Sequence, residues 1–158
     1  PRTPDPSRTA VLVDAQSLYY PARRLRARID FRALLREARG TPGTGPATAY
    51  VAEIAGIQSG EFMRALKDIG YQVKVKPSAR QEAETIWTED LGADLREAAK
   101  RYNRVVVATH NPRLAPVVAE TGAVLMMIPE EAPEALCTAA KETLEIEGDL
   151  LKAMEPSA

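Results

Sequence analysis

The chain has 158 residues, the size of one domain, and its 45% apolar and 27% charged residues make a folding composition rather than that of a disordered tail. A single cysteine, Cys137, excludes an intrachain disulfide framework and Cys-rich zinc sites; no apolar run reaches the ~18 residues of a membrane span, and the opening residues do not read as a signal peptide. The net charge of −1 hides a division: residues 1–80 carry 14 Lys/Arg against 7 Asp/Glu, and residues 81–158 carry 7 against 15.

A cytoplasmic protein with no membrane partner is therefore expected. Fifteen of the 21 basic residues are arginine, whose planar fork suits phosphate, so a basic half could meet nucleic acid. Residues 1–8 hold three prolines and no apolar periodicity, which predicts a flexible arm ahead of a single domain over residues 9–154. Thr9–Val13 is a continuous apolar run ending at Asp14, the mark of a strand buried on both faces. Ser17 is placed to cap a helix over Leu18–Ala27, with Pro21 in its tolerant first turn. Asp30 caps the next helix, whose apolar face is Phe31, Leu34, Leu35 and Ala38. Gly40–Pro46 is a loop, and it lacks the Gly-Lys-Ser/Thr ending of a phosphate-binding P-loop.

A second strand is expected over Ala47–Ala52. Phe62, Met63, Leu66 and Ile69 recur at helical spacing, and Gly70 ends that helix. Tyr71–Val75 alternates as a more exposed third strand, and Pro77–Glu84 is a polar loop. Thr88 caps a helix with Leu91, Leu95, Ala98, Ala99 and Tyr102 as its buried stripe. Val105–Ala108 is the fourth strand. Asn111-Pro112 supplies an N-cap and first-turn proline to a helix ending at Gly122, with Pro116 inside it forfeiting one backbone bond. Ala123–Ile128 is the fifth strand, and a final helix runs over about 133–154 with Leu136, Ala140 and Leu144 on one side.

Strands alternating with helices predict a three-layer α/β/α sandwich around a five-stranded, mainly parallel sheet. Such sheets bind ligands outside the carboxyl ends of their strands. That rule selects Asp14–Ser17 after the first strand and Thr109–Arg113 after the fourth. A divalent ion such as Mg²⁺ or Mn²⁺ takes oxygen ligands; Asp14 stands where one belongs, and Asp90 and Asp94 share a helix face one turn apart. Asp90 is equally an acid favoured by the dipole of a helix start, and Asn111 equally a plain cap. His110, the one histidine, lacks a second ligand at metal spacing and reads as an exposed hydrogen-bonding residue. Cys137 reads as core. Trp87 and Tyr71 are open to base stacking or to packing. No Gly-x-Ser-x-Gly elbow supports a hydrolase triad. A small nucleotide-binding regulator fits the fold class but lacks the Gly-x-Gly-x-x-Gly loop.

Val11-Leu12-Val13-Asp14-Ala15-Gln16-Ser17-Leu18-Tyr19-Tyr20, followed by Arg28–Leu35, resembles the opening of the NYN domain, particularly its bacterial LabA-like branch. The resemblance continues at Tyr50-Val51, Phe62–Pro77, Asp90-Leu91-Gly92 and Arg104–Val118, covering about residues 9–146. It implies a PIN-like, Rossmannoid fold and action on single-stranded or structured RNA, with Mg²⁺ or Mn²⁺ as cofactor and metal-dependent ribonuclease activity. It also implies roles: Asp14, Asp90 and Asp94 as metal ligands, Asn111 as a fourth catalytic residue, and Ser17, Thr109 and Arg113 as substrate contacts. A homodimer or a protein partner is a further expectation.

The acidic motif is degenerate. Ser17 replaces the Asn of the family's Asp-x-x-Asn pattern, and Asp94 stands two residues off the second acid of the central helix. Where the family reads Ser-Gly-Asp-x-Asp-Phe, this chain has Thr109-His110-Asn111-Pro112-Arg113-Leu114, so Asn111 and Arg113 replace both aspartates. Unit charges at ~4 Å interact by about 4 kcal/mol at an effective dielectric near 20, so this reversal removes much of a weak metal affinity. The sequence thus carries two readings: a ribonuclease with a partly degraded site, or a catalytically inactive module that binds RNA or a protein.

Overall fold

A computed structural model describes residues 8–40 and 43–154. The arm expected over residues 1–8 lies outside the described residues apart from Arg8, which bridges to Thr44.

Six parallel strands form the central sheet: β1 (Thr9–Asp14), β3 (Ala47–Ile54), β4 (Gln72–Ser78), β5 (Arg104–Ala108), β6 (Val124–Met127) and β7 (Thr143–Glu145). Their spatial order is β4-β3-β1-β5-β6-β7. The chain therefore winds outward from β1 on one side and then returns to build the other side. The crevice where that direction reverses, between β1 and β5, is where a doubly wound sheet takes its ligand.

Alternation along each strand decides which layer every side chain joins. Val11 and Val13 of β1 face one core with Ala49 and Val51 of β3, under α1 (Ala15–Arg24), α2 (Phe31–Arg39) and α3 (Gly60–Ile69). Ala10 and Leu12 face the other, with Tyr50, Trp87 and the buried Leu91 and Leu95 of α4 (Thr88–Arg101), beside α5 (Ala115–Thr121) and α6 (Glu134–Ala139). Leu91 and Leu95 are one turn apart, so α4 presents a narrow apolar stripe to the sheet and leaves its flanks polar. Gly45 explains one tight crossing. A Cβ there would stand 2.0 Å from the Thr9 carbonyl oxygen, and its φ is +128°, so only glycine lets this loop pass β1.

Several expectations change for identifiable reasons. α1 starts at Ala15 directly after Asp14, so Ser17 lies inside its first turn and does not cap it. Pro21 is therefore interior to the helix, where its missing N–H removes a backbone bond. Ala27 leaves the helix for β2 (Ala27–Ile29). Thr88 is the first residue of α4 rather than its cap; Trp87 occupies that position. Asp30 does cap α2, accepting from the Arg32 and Ala33 amides at 3.1 Å each. Asn111 caps a short 3₁₀ turn, Pro112–Leu114, ahead of α5, so Pro116 falls in the first turn and forfeits nothing.

The largest difference is at the C-terminus. The final helix expected over 133–154 ends at Ala139. Thr143–Glu145 then adds a sixth strand against β6, and Leu151–Ala153 (β8) pairs antiparallel with β2 as a separate two-stranded sheet. Leu136, Ala140 and Leu144 stand at helical spacing, yet Leu144 reaches the core as a strand residue opposite Met126. No helix among the described residues is long and apolar enough to cross a membrane.

Candidate functional site

Asp14 is the last residue of β1 and shares the α4 side of the sheet with Ala10 and Leu12. The strand register continues that position across two neighbours: Asp14 lies opposite Tyr50, and Tyr50 opposite Lys74. The three side chains therefore form a row that starts at the carboxyl end of β1 and runs across the middle of β3 and β4. Lys76, two residues on, projects to the same face. α4 crosses above the row and contributes Asp90 and Asp94.

Asp14 is 1% exposed. Its Oδ2 accepts a hydrogen bond from Thr109 Oγ1 at 2.9 Å, and its Oδ1 has no partner. Burial raises its pKa to about 7, a push that the Thr109 hydrogen bond only partly offsets and that the negative charge of Glu84 reinforces. Around it the chain builds a closed polar net. Ser17 Oγ donates to the Asp14 carbonyl at 3.2 Å and accepts from the His110 amide at 3.0 Å. Thr109 Oγ1 accepts from the Asn111 amide at 3.0 Å. Both ends of the Asn111 carboxamide are used: Oδ1 accepts from the Arg113 amide at 3.0 Å, and Nδ2 donates to Thr88 Oγ1 at 2.8 Å.

His110 is also inside, 7% exposed, which corrects the expectation of an exposed residue. Its Nε2 accepts from the Ile128 amide at 2.9 Å, and burial lowers its pKa to about 4. It is a neutral strut across the β5 and β6 ends, because an imidazole accepting there carries no proton on that nitrogen.

The acid pair of α4 faces lysines instead of Asp14. Asp94 Oδ2 accepts from Lys74 Nζ and from Tyr50 Oη, both at 2.7 Å. Asp90 Oδ2 is ion-paired with Lys76 Nζ. Each ammonium is further held over an aromatic face, Lys76 at 4.6 Å from the Trp87 ring centroid and Lys74 at 5.8 Å from that of Tyr50. Tyr50 and Trp87 pack edge-to-face at 5.1 Å, so the rings alternate with the two ion pairs. Burial and the Asp94 carboxylate raise the Tyr50 pKa, which keeps that hydroxyl a donor. Lys74, Trp87, Asp90 and Asp94 line a pocket of about 450 Å³. A larger cleft of about 940 Å³ at the ends of β3 and β4 is lined by Glu53 and Glu82 and by no basic residue, so it does not suit an anion.

The expected residues are thus gathered at one rim but not into one cluster. Asp14, Ser17, Thr109 and Asn111 form the buried net; Asp90 and Asp94 form the half-exposed pairs; Arg113 is exposed beside the net. Lys74, Lys76, Tyr50 and Thr88 complete the site, a role that the sequence reading did not give them. The signal for the lysines was present, since Lys74 and Lys76 repeat at strand spacing while Asp90 and Asp94 repeat at helix spacing, but only the packing of α4 beside β4 matches the two.

A divalent cation needs several oxygen donors converging on one point. The orphaned Asp14 Oδ1 is one oxygen it could use. Asp90 and Asp94 each pair one carboxylate oxygen with a lysine, and the Asn111 carboxamide already accepts from the Arg113 amide and donates to Thr88. Among the described residues no three His, Cys, Asp or Glu side chains are grouped to hold a metal ion. Asp14 and the α4 acids thus do not stand as one ligand group among the described residues.

Comparison with known proteins adds two findings. The NYN domain family model matches residues 8–147. A crystal structure of a protein of unknown function from Vibrio parahaemolyticus superposes with a TM-score of 0.80 at 22% identity, over 92% of this chain and 96% of that one, which extends the likeness to the whole fold. No curated protein matches the chain.

Proposed function

The chain belongs to the NYN domain family, within the PIN-like nuclease superfamily, and from that premise we propose that it is an RNA-binding domain whose acidic site does not support metal-dependent cleavage. The observation that carries this reading is the pairing of Lys74 with Asp94 and of Lys76 with Asp90. Two ammonium groups supply the charge that a divalent cation would otherwise bring. With Asp14 only about half ionised near pH 7 and Arg113 adding a positive charge, the attraction for an arriving cation is weak. Charges of one sign at ~4 Å cost about 4 kcal/mol at an effective dielectric near 20, more than a weakly held ion gains.

The same chemistry favours an anion. Arg113 is exposed and has no carboxylate partner among the described residues. Lys74 and Lys76 are 40% and 37% exposed at their side chains, so each can share its ammonium with a phosphate oxygen while keeping its carboxylate. Arg113 would grip one phosphate by its fork and the lysine pair a neighbouring one. The Ser17–Thr109–Asn111 net fixes the turn that presents Arg113.

A metal titration with a panel of RNAs tests the reading. RNA affinity that falls with salt and drops in Arg113→Ala, with no product at any Mg²⁺ or Mn²⁺ concentration, is the expected result. Mn²⁺-dependent product formation that disappears in Asp14→Asn would establish the ribonuclease reading instead, with the free Asp14 Oδ1 as its anchor.

A further inference from the structure

Residues 15–29, spanning α1 and β2, contain four arginines and no acid. Arg23, Arg24, Arg26 and Arg28 are all exposed. Arg24 is committed to Glu131, at 2.9 Å. The other three have no carboxylate partner among the described residues, so their charge is uncompensated.

On the same helix Tyr19 is 48% exposed, an unusual position for a large ring in a chain with few aromatics. It is held in place. The Arg23 guanidinium lies 5.9 Å from its ring centroid and donates to its hydroxyl at 3.4 Å, while Tyr20 packs edge-on at 5.1 Å. A ring and guanidinium fixed in advance lose little freedom when a flat ligand stacks on them.

Arg26 is the other telling position. It has φ +54° just past the end of α1, its amide bonded to the Arg23 carbonyl at 2.9 Å. Glycine is the usual occupant of such a left-handed position because it has no Cβ to clash. An arginine there strains the backbone, and its side chain meets no acid in return.

We infer that Tyr19, Arg23, Arg26 and Arg28 form a track for single-stranded RNA leading away from the crevice, with the Tyr19–Arg23 pair stacking a base and Arg26 and Arg28 taking phosphates. This rests on the RNA-binding reading above and specifies its substrate class. α1 leaves the rim directly after Asp14, and at ~1.5 Å per residue Tyr19 lies about 6 Å and Arg23 about 12 Å along its axis. The track therefore begins at the crevice rim and follows α1 away from it. Bases in an A-form duplex are stacked on one another and closed to Tyr19, which selects a single strand.

The experiment is fluorescence anisotropy of the full chain with a labelled oligouridylate and a duplex of equal length, at several salt concentrations. Tyr19→Ala should weaken single-strand binding about tenfold, the scale of one lost base–aromatic stack, while Tyr19→Phe retains it and both variants melt like the parent. Arg26→Gln with Arg28→Gln should reduce the slope of log affinity against log salt by about 1.4, the share of two phosphate contacts on a single strand. Arg26→Gly should melt no lower than the parent yet bind more weakly, an opposition that a purely structural role for Arg26 does not give. Parent-like single-strand affinity in Tyr19→Ala and in the double arginine variant, alongside a loss in Arg113→Ala, overturns the track and leaves the RNA-binding reading standing. Absence of RNA binding by the parent protein overturns both.

Discussion

Thr109 Oγ1 donates to Asp14 Oδ2 at 2.9 Å across the seam between β5 and β1, at the crevice where a doubly wound sheet opens to a ligand. Thr109 sits where the family pattern has serine, and its hydroxyl also accepts from the Asn111 amide. One side chain therefore ties the strand-one acid to the strand-five turn. Thr109→Val keeps the volume but strips the bond from a buried carboxylate and from a buried amide. A loss of about 2–4 kcal/mol is expected from the two unsatisfied groups. Chemical denaturation should show a lower midpoint at unchanged slope; an unchanged midpoint would mean that the net contributes nothing.

Asp14 makes stability pH-dependent with a definite sign. Its folded pKa of about 7 lies above the unfolded value of 3.8, so its contribution is complete below about pH 4 and is lost as pH rises to about 7. The linked loss is on the order of 4 kcal/mol. Asp14→Asn removes this ionisation. The melting temperature of the parent relative to Asp14→Asn should decline steadily from pH 4 to 7.5, and a constant difference across that range would contradict the assignment.

His110 acts in the opposite direction over nearly the same window. Its folded pKa of about 4 lies below the unfolded 6.5, so its contribution is complete above pH 6.5 and is lost as pH falls toward 4, by a total on the order of 3 kcal/mol. In His110→Gln, whose amide oxygen can still accept from Ile128, that acid-side loss should vanish. The variant should therefore gain on the parent as the solution is acidified, measured by the same melts.

Lys74 and Lys76 are tested together. Replacing both by alanine leaves Asp94 and Asp90 unpaired, and Mn²⁺ affinity by calorimetry should tighten by at least about tenfold through the removed repulsion. Stability should change little, because exposed ion pairs contribute at most about 1 kcal/mol each. If Mn²⁺ binds equally in both proteins, the lysines are not what disfavours the cation.

Tyr50 separates hydrogen bonding from packing at the same place. Tyr50→Phe keeps the ring against Trp87 but loses the donation to Asp94, at an expected cost of about 1 kcal/mol. Arg113-dependent RNA affinity should be preserved, since the hydroxyl reaches only Asp94. A matched drop in RNA binding would place Tyr50 in direct contact with the ligand.

Much of this architecture is legible in the chain itself. The buried strands at Thr9–Val13 and Val105–Ala108 announce themselves as continuous apolar runs because a strand covered on both faces has no polar side to alternate. Asp30 and Gly70 mark helix ends through capping chemistry that is local in sequence. Asp14 and the Thr109–Arg113 turn were placed at the rim by topology alone. Thr143–Glu145 was not legible, since three residues at a sheet edge carry one apolar side chain and no period. Ser17 and Thr88 misled because a hydroxyl at a helix start caps or bonds backward according to backbone angles that the residue type does not set.

What the sequence determined by itself is therefore the order of five strands of the parallel sheet with the helices between them, and the stretch of chain that reaches the crevice, because apolar periodicity and capping act over neighbouring residues. Tertiary structure alone decided the partners of the acids. Asp90 and Asp94 could have turned to Asp14 and a cation, but α4 packs by its Leu91–Leu95 stripe, and that docking sets their carboxylates over the lysines of β4. Electrostatic neutrality at short range is a property of that docking, and no window of sequence contains both sides of it.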